Sequence, residues 1–418
     1  MGGMHVYFYK VNEKTLFSFR KYNELYEIQE REAINSEGIL YFLTELELKA
    51  SRRSFSVSDP SLLYLKNEDL SLLKTPEKLD YEINDWILKK IYSNKVMGIN
   101  TNYSWRSLLD YSHPAKWKIN LVGLGDVGGI LLTGLRLLGS SCISQIGIYS
   151  RSKESTTRWE LEANQILDAF NEEEYPLVKA IPKEELFNCH MFVFCASKNV
   201  PQVGEDVKDV RLYQFESNSK IISEYAHMAR EKGFKGIFAV VSDPVDLLCK
   251  VALIESNKDS QGIVDYNGLA PEQIRGYGLG VMNGRAAYYA SKNPLTASYD
   301  AEGRAFGPHG QGLIIANSIE NYDEKLSEYL TEKTLGANLE VRAVGYKPFI
   351  APALSSGALS IIATIKGNWH YSATYIGGAY MGAKNRLTPS GTELERLNLP
   401  VELERKLEET FERLADII

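Results

Sequence analysis

The feature of this sequence that most constrains its fold is a glycine-rich segment in the middle of the chain. Residues 117–138 contain a short apolar run, the turn GLGDVG, and a second apolar run with the length of a helix. The turn at 123–128 fits G-x-G-x-x-G, which indicates dinucleotide binding when a strand precedes it and a helix follows it. Both conditions are met, so the segment predicts the first strand, turn and helix of a Rossmann-type domain.

Each glycine of this turn has a predicted physical role. Gly123 permits the tight turn, Gly125 lets the main chain approach a pyrophosphate, and Gly128 allows close packing of helix on strand. The N–H groups that open the helix then face the phosphates. We predict cofactor contacts from five consecutive or nearby residues, namely Gly123, Gly125, Asp126, Val127 and Gly128. The alternative is a glycine turn in a Rossmann-like domain that binds no ligand.

The segments after the turn alternate between strand-like and helix-like patterns. Strand-like runs cover 145–151, 191–197 and 236–244, and helix-like segments cover 155–170, 218–233 and 401–417. Such alternation predicts a parallel sheet with right-handed crossovers. We therefore expect an α/β fold in which a Rossmann domain at 116–262 precedes an α+β domain at 263–418.

Residues 1–115 have a different character. They are rich in Tyr, Lys, Glu and Leu and poor in Gly, and they contain the strand-like segments MHVYFYKV and GILYFLTELEL. Residues 77–95 have apolar residues at roughly helical spacing. We predict a small α/β or α+β region, and the sequence assigns it no role.

Composition excludes several classes of partner. The net charge is -7 and no long basic run occurs, so nothing favours nucleic acid or an anionic membrane surface. The most apolar stretch, 119–139, contains an Asp, an Arg and several glycines, which is unlike a membrane span. The N-terminus lacks a secretory pattern, and the four cysteines lack metal-ligand spacing. We expect a cytoplasmic protein with reduced thiols and no metal site.

The end of the second strand bears on the choice of cofactor. An acidic residue there accepts hydrogen bonds from the ribose 2′-hydroxyl of NAD. Here the position is Ser150, and Arg151 and Lys153 follow it. A hydroxyl and cations suit a 2′-phosphate, so the segment predicts NADP over NAD. The alternative is that both cations are solvated surface charges.

Five further segments resemble the L-lactate/malate dehydrogenase family, in the same order as in that family. They are FCASKNVPQVG, RLYQFESNSKII, VVSDPVDLL, GPHGQG and TYIGGAYMGAKNR. The resemblance covers residues 116–418 and leaves 1–115 outside. It implies a C-terminal catalytic domain packed against the Rossmann domain, a small-molecule substrate bound between them, and a homodimer or homotetramer.

The resemblance also implies roles for individual residues. His309 matches the family's catalytic acid/base histidine, and Arg211 matches the loop arginine that polarises the substrate carbonyl. A histidine suits this role because its pKa lies near working pH. The loop between Gly204 and Arg211 is several residues longer than in the family. Further cofactor contacts are implied for Ala196, Ser197, Asn218 and Val241.

Departures from the family affect the substrate side of the site. Ungapped comparison puts Gly284 where the family has the Asp that orients the histidine, and Ala287 where it has the Arg that clamps the substrate carboxylate. Asn283 and Arg285 flank these positions and are candidate substitutes in substrate binding. Asp243 replaces a family Asn and adds a negative charge that repels a carboxylate. Efficient turnover of lactate or malate is therefore not expected.

Three functions are compatible with these patterns. The first is an NAD(P)-dependent oxidoreductase acting on a non-standard carbonyl/alcohol pair, which the retained His309 and Arg211 favour. The second is a non-catalytic NAD(P)-binding protein, such as a redox sensor or partner subunit, which the missing Asp and Arg favour. The third is an NAD-dependent glycosidase of the related superfamily. That enzyme class needs a Cys/His metal site, for which Cys189–His190 and Cys249 lack a convincing context.

Overall fold

The chain divides into two compact units. The computed structural model describes residues 5–76, 83–169, 174–198 and 210–416, except for the side chains of 210–213. The first unit comprises Met1–His113, Ile376–Gly378 and Asn385–Arg396, and the second comprises Pro114–Tyr375, Ala379–Lys384 and Leu397–Ile418. The first division therefore falls near the predicted end of the N-terminal region at 115.

The first unit is built on a mixed sheet, as an α/β or α+β region requires. Its strands are β1 (Tyr7–Val11), β2 (Lys14–Ser18), β3 (Tyr26–Ile28), β4 (Leu40–Thr44), β5 (Ser54–Ser56) and β6 (Val96–Asn100), and its helices are α1 (Glu30–Ala33) and α2 (Asp85–Tyr92). The strand order is β3-β1-β2-β4-β6-β5, with β2, β4 and β6 parallel. Asn12 and Glu13 have φ of 44° and 61°, which allows a two-residue hairpin turn between β1 and β2.

The second unit begins with a parallel sheet and its crossover helices. The elements are β7 (Trp117–Val122), α3 (Asp126–Leu138), β8 (Ile143–Tyr149), α4 (Lys153–Asn164), β9 (Leu177–Ala180), β10 (Met191–Phe194), α5 (Val210–Glu231), β11 (Ile237–Val240), α6 (Val245–Ser256) and β12 (Ile274–Gly276). The strand order β9-β8-β7-β10-β11-β12 is parallel throughout. In chain order this reads 3-2-1-4-5-6, the order of a Rossmann dinucleotide-binding domain.

The remaining elements form the C-terminal part. They are α7 (Leu279–Ala290), α8 (Tyr299–Glu302), β13 (Arg304–Phe306), β14 (Ile314–Ala316), α9 (Glu324–Ala343), α10 (Ser360–Ile365), β15 (His370–Ile376), β16 (Ala379–Thr388), β17 (Gly391–Leu394) and α11 (Val401–Asp416). A π-helical segment, Pro352–Leu359, leads into α10. The α/β class and the terminal helix are confirmed.

The structure also corrects several element boundaries. Helix α4 ends at Asn164 instead of 170, and α5 begins well before the predicted start at 218. The helix predicted over 77–95 is present only as Asp85–Tyr92, and residues 77–82 lie outside the described part. The parallel sheet continues past residue 262 because β12 supplies its last strand. This strand is too short to show a pattern in the sequence.

The core of the parallel sheet is aromatic. Phe192 of β10 and Phe238 of β11 are fully buried with ring centroids 4.9 Å apart, and Tyr225 of α5 packs on Phe192 at 5.5 Å. Both strands are buried along their whole length because helices cover the two faces of such a sheet. No helix in the described ranges combines the length and apolar character needed to cross a bilayer.

Candidate active site

The glycine turn has the geometry that its sequence predicts. Gly123 has a φ of +95°, and a Cβ there would lie 2.4 Å from the main-chain nitrogen of Ala196. A Cβ on Gly128 would lie 1.8 Å from the Gly123 carbonyl oxygen. Neither position has room for a side chain. A Cβ on Gly125 would meet nothing within 4 Å, so the main chain is open to a ligand at the residue that precedes α3.

The open end of α3 fits the pyrophosphate of a dinucleotide. This helix has 13 residues, and its first N–H groups and positive dipole end lie beside Gly125. The Asp126 carboxylate, in the first turn, opposes a phosphate charge. Lys347 compensates for it, since its Nζ lies 3.6 Å from Asp126 Oδ2 and both side chains are about half exposed. The predicted Val127 contact stays a prediction. Lys347 had no signal in the sequence because it lies far away along the chain.

The residues after β8 form an exposed polar corner. Ser150 follows the strand directly, and its Oγ accepts a hydrogen bond from the N–H of Ser152 at 3.3 Å. Arg151 and Lys153 are exposed. The nearest following carboxylate, Glu154, has a lowered pKa because its own N–H and the Ser152 hydroxyl hydrogen-bond to it. The corner therefore presents a hydroxyl and two cations to solvent.

Asn218 holds together the turns after β10 and β11. Its side chain is fully buried, and its Oδ1 accepts from the N–H of Lys198 at 3.0 Å. Its Nδ2 donates to the Asp243 carbonyl oxygen at 2.8 Å and to the Ser197 hydroxyl at 3.3 Å. Asn218 thus positions the two loops beside the expected cofactor site. Its amide oxygen and its amide nitrogen both make hydrogen bonds within the protein.

A second set of contacts fixes the same pair of turns. The Ser242 hydroxyl donates to the Ala196 carbonyl at 2.8 Å, and the N–H of Val241 donates to the Phe194 carbonyl at 3.0 Å. These bonds bring Ala196 and Val241 to the carboxyl ends of neighbouring parallel strands. Ligands bind at this edge in open α/β sheets. The predicted contacts of Ala196, Ser197 and Val241 with cofactor are compatible with that placement and stay predictions.

His309 lies at this edge and is firmly oriented. Its Nδ1 lies 2.7 Å from the main-chain carbonyl oxygen of Gly278, directly after β12. Because a carbonyl only accepts, Nδ1 carries the proton and Nε2 is left free to exchange one. The N–H of His309 donates to Asp246 Oδ2 at 3.0 Å. A Cβ on Gly278 would lie 2.6 Å from His309 Cβ, so only glycine allows this approach.

The Gly278 carbonyl is itself held by a buried serine. The Ser356 hydroxyl donates to that carbonyl at 2.7 Å and accepts from the N–H of Val281 at 2.8 Å. Ser356 lies in the π-helical segment and is 2% exposed. The main-chain carbonyl of Gly278, held by Ser356, thus orients His309, a role that the family resemblance assigns to an Asp. Sequence reasoning missed both, because a main-chain acceptor leaves no residue-type signal.

The free nitrogen of His309 faces a carboxylate. His309 Nε2 lies 3.8 Å from Asp243 Oδ1. The His309 side chain is 10% exposed and that of Asp243 is 49% exposed, so the pair opens to solvent on the carboxylate side. Asp243 follows β11, as Gly278 follows β12. The structure therefore brings together two residues that the sequence singled out separately, His309 and Asp243.

The candidate substitutes on α7 do not behave alike. Asn283 Oδ1 accepts a hydrogen bond from the Tyr299 hydroxyl at 3.0 Å, which commits it to the helix packing. Arg285 donates to Asn338 Oδ1 on α9 and approaches Met282 Sδ at 3.5 Å. Burial lowers the pKa of the Arg285 guanidinium, and Asp243 counteracts part of that effect. Arg285 is therefore near Asp243 but is bound to a neighbouring helix.

The two positions at which family groups are missing have different surroundings. A Cβ on Gly284 would have Ser355 Oγ as its nearest neighbour, at 3.9 Å. Ala287 packs against the apolar cluster of the C-terminal part. On this stretch, Gly278 is the glycine that contacts His309.

Two predictions fall at the edge of what the structure describes. Arg211 lies in the first turn of α5, but its side chain is outside the described part, and Gly204 is outside it altogether.

Within the residues described, no group of three His, Cys, Asp or Glu side chains is placed to hold a metal ion. Burial raises the pKa of the Cys189 thiol to about 12 and raises that of Cys249 well above its usual value.

Comparison with known proteins identifies what the chain resembles. No protein-family model matches it. The L-lactate dehydrogenase of Mesomycoplasma hyopneumoniae strain 232 is 24% identical over 202 residues, which cover 48% of this chain and 58% of that enzyme. L-lactate dehydrogenase 2 of Staphylococcus aureus strain JH9 is 26% identical over 113 residues, 27% of this chain and 32% of that enzyme. The chain thus spans little more than half the length of the first of these relatives.

Solved structures extend the likeness to 72% of the chain. A lactate dehydrogenase from a Medee basin deep-sea metagenome library has a TM-score of 0.58 at 19% identity, covering 72% of this chain and 97% of its own. The malate dehydrogenase of Plasmodium falciparum has a TM-score of 0.56 at 16% identity, covering 71% and 96%. Such identities establish the fold. Over about 72% of its length the chain therefore has the fold of the lactate and malate dehydrogenases.

Proposed function

We propose that this chain is an NAD(P)-dependent dehydrogenase that interconverts a carbonyl compound and its alcohol. The observation that carries the proposal is His309, whose Nδ1 is bound by Gly278 and whose Nε2 is free. It lies at the carboxyl edge of a parallel sheet whose first strand ends in the open glycine turn. An acid/base group and a dinucleotide cradle at the same edge suit hydride transfer coupled to proton transfer.

The residues supply binding, orientation and a proton. The nicotinamide, when bound, supplies or accepts the hydride. In the reducing direction, protonated His309 gives its Nε2 proton to the carbonyl oxygen as the carbonyl carbon accepts the hydride. In the oxidising direction, neutral Nε2 takes the alcohol proton. The Gly278 carbonyl keeps the ring in the required tautomer in both directions.

We further propose that NADP is preferred over NAD. The support is the corner after β8, where Ser150 replaces an acid and Arg151 and Lys153 are exposed. A guanidinium binds a phosphate through two parallel hydrogen bonds, which a 2′-hydroxyl does not match.

The family resemblance also supports the proposal that the chain forms a homodimer or a homotetramer. Light scattering measures the molar mass in solution and checks this.

The substrate is proposed to lack a carboxylate beside the reacting carbonyl. Ala287 offers no cation at the clamp position, and Arg285 is engaged by Asn338. Asp243 adds a negative charge next to the reacting nitrogen. We expect lactate, pyruvate, malate and oxaloacetate to be turned over with efficiencies far below the usual enzyme range of about 10⁴–10⁸ M⁻¹s⁻¹.

Fluorescence titration of both reduced cofactors tests the binding half of the proposal. NADPH should bind at least about tenfold more tightly than NADH, since a charge-assisted contact contributes roughly 1.5–3 kcal/mol. Arg151→Ala should remove that preference and leave NADH affinity unchanged. Arg158→Ala is the matched control, because Arg158 is an exposed arginine on α4, shortly after Arg151, and pairs with Glu162. Equal affinities in the wild type would refute the NADP preference.

A panel of ketones and aldehydes with each reduced cofactor tests the catalytic half. Turnover of at least one neutral or cationic carbonyl compound is expected. The second candidate function, a non-catalytic NAD(P)-binding protein, is favoured by the engagement of Asn283 and Arg285 in helix packing. Tight nucleotide binding without turnover of any member of the panel would support that alternative instead.

A further inference from the structure

The Asp243 carboxylate is the group on this edge that the proposed reaction does not use. Its side chain is 49% exposed and lies 3.8 Å from His309 Nε2. Among the described residues, that nitrogen is the one ion-pair partner of Asp243. A carboxylate here adjoins the nitrogen that meets the substrate oxygen. The side of the ring that faces the protein is already bound by Gly278.

The position of Asp243 is fixed from both sides. Buried Asn218 holds its carbonyl oxygen at 2.8 Å, and the neighbouring Ser242 hydroxyl holds the Ala196 carbonyl at 2.8 Å. His309 is tied to the start of α6 by the bond from its N–H to Asp246. The main chain that carries the Asp243 carboxylate and the main chain that carries the His309 imidazole are therefore both held in place by the protein.

Arg285, a described cation that interacts electrostatically with Asp243, is already engaged by other residues. Arg285 donates to Asn338 on α9, contacts Met282, and makes no ion pair with Asp243 within 4 Å among the described residues. Its guanidinium is thus held at the helix interface, where it does not present a pair of N–H donors to a substrate carboxylate. The charge presented directly beside the reacting nitrogen is negative.

We infer that Asp243 selects a substrate that carries a protonated amine on the carbon next to its carbonyl, an α-amino ketone or aldehyde. A carbonyl oxygen that accepts the Nε2 proton places its neighbouring carbon within reach of the Asp243 carboxylate. An ammonium group there forms a charge-assisted hydrogen bond, whereas a carboxylate meets a like charge. This inference rests on the proposed function.

The reaction balances with the proposed cofactor. The carbonyl carbon of the amino ketone takes a hydride from NAD(P)H, and its oxygen takes the Nε2 proton of His309. The C=O double bond becomes a C–O single bond, and the products are the amino alcohol and NAD(P)⁺. His309 regains a proton from solvent, and the amine keeps its charge throughout.

Three small methyl ketones test the inference: aminoacetone, hydroxyacetone and pyruvate, which carry an ammonium, a hydroxyl and a carboxylate. We expect kcat/KM to fall in that order, by at least about tenfold from first to last. Asp243→Asn should lower the ratio of kcat/KM for aminoacetone to kcat/KM for pyruvate by about tenfold, or reverse the preference. Asp300→Asn, which removes an exposed carboxylate on α8, is the matched control and should leave the ratio unchanged.

A binding measurement separates this inference from the activity itself. 1-Amino-2-propanol and lactate are added to the protein saturated with NADPH, where no hydride transfer is possible, and binding is read from NADPH fluorescence. The amino alcohol should bind at least about tenfold more tightly than lactate, and Asp243→Asn should abolish the difference. Equal or tighter binding of lactate, or a ratio unchanged in the variant, overturns the inference while the proposed function stands. Failure of both NADPH and NADH to bind overturns the inference and the proposed function together.

Discussion

At the residue scale, the site keeps a histidine but changes the groups around it. His309 is oriented by the neutral main-chain carbonyl of Gly278, and a carboxylate lies on the other side of the ring at Asp243. A carbonyl fixes the tautomer without adding a charge, so the negative charge acts directly on the substrate side. This arrangement explains how the chain can lack the family's Asp on α7 and still hold its histidine in place.

The first residue-scale prediction concerns Ser356, which acts on His309 only through Gly278. Ser356→Ala removes the hydroxyl that holds the Gly278 carbonyl and leaves the N–H of Val281 without its acceptor. We expect kcat to fall about tenfold with the KM for cofactor unchanged, and unfolding free energy to fall by about 1–3 kcal/mol. Steady-state kinetics and urea denaturation measure the two effects.

A buried serine at the start of α10, directly after the π-helical segment, provides the control. Ser360 donates to the Ser355 carbonyl at 2.7 Å and has no hydrogen bond to Gly278. Ser360→Ala should therefore lower stability by a similar amount without lowering kcat. If the two variants lose kcat equally, Ser356 has no positioning role beyond general packing.

At the element scale, two glycines of the turn have different expected roles, Gly128 in folding and Gly125 in ligand binding. Gly128 lies against the Gly123 carbonyl, whereas Gly125 borders open space. The sequence predicted both roles because the G-x-G-x-x-G pattern records close main-chain approaches. It did not predict β12, which leads to Gly278, or the π-helical segment, which carries Ser356, because their placement comes from tertiary packing.

The element-scale prediction compares alanine at these two glycines. Gly128→Ala forces a methyl group against a carbonyl oxygen, so it should destabilise the protein by about 1–3 kcal/mol or more. Gly125→Ala should change stability by less than about 1 kcal/mol and weaken NADPH binding at least about tenfold, because the methyl group occupies the ligand's side of the turn. Thermal denaturation and fluorescence titration measure both. Unchanged NADPH affinity in Gly125→Ala would place the pyrophosphate elsewhere.

At the scale of the whole molecule, the second unit was largely readable from the sequence and the first was not. Apolar strands such as β10 and β11 alternate with helices, and that order alone predicts a parallel sheet. Residues 1–115 contain no such alternation, so their strand order could not be derived. Within the candidate site, the sequence singled out His309 and Asp243 separately, and their 3.8 Å separation follows only from the fold. Lys347 was missed because it meets Asp126 only in the folded chain.

The stability of the whole molecule should depend on pH through His370. The pKa of His370 is lowered to about 3, mainly by burial and to a smaller extent by nearby Arg275, and the hydrogen bond to the Asn368 carbonyl opposes this shift. The unfolded chain binds this proton near pH 6.5, so stability is fully present above that pH and is lost as pH falls toward 3. We expect a loss of about 2 kcal/mol between pH 6.5 and 4.5 from this group.

Urea denaturation at several pH values checks this expectation. His370→Asn should flatten the dependence on pH between 6.5 and 4.5 relative to the wild type. His227→Asn, at an exposed histidine that pairs with Glu255, should leave the slope unchanged. If the free energy of unfolding depends on pH equally in His370→Asn and the wild type, other groups control the loss of stability at acid pH.

The central claim is that His309 exchanges the proton that accompanies hydride transfer, and single-turnover kinetics of His309→Asn tests it most directly. The variant is mixed with NADPH and the ketone that the wild type reduces fastest, and loss of NADPH fluorescence is followed. The account predicts a rate about 10²–10⁴-fold below wild type with NADPH affinity within about twofold, because a proton donor is removed and the glycine turn is untouched. His227→Asn should match the wild type. A wild-type rate in His309→Asn would contradict the account.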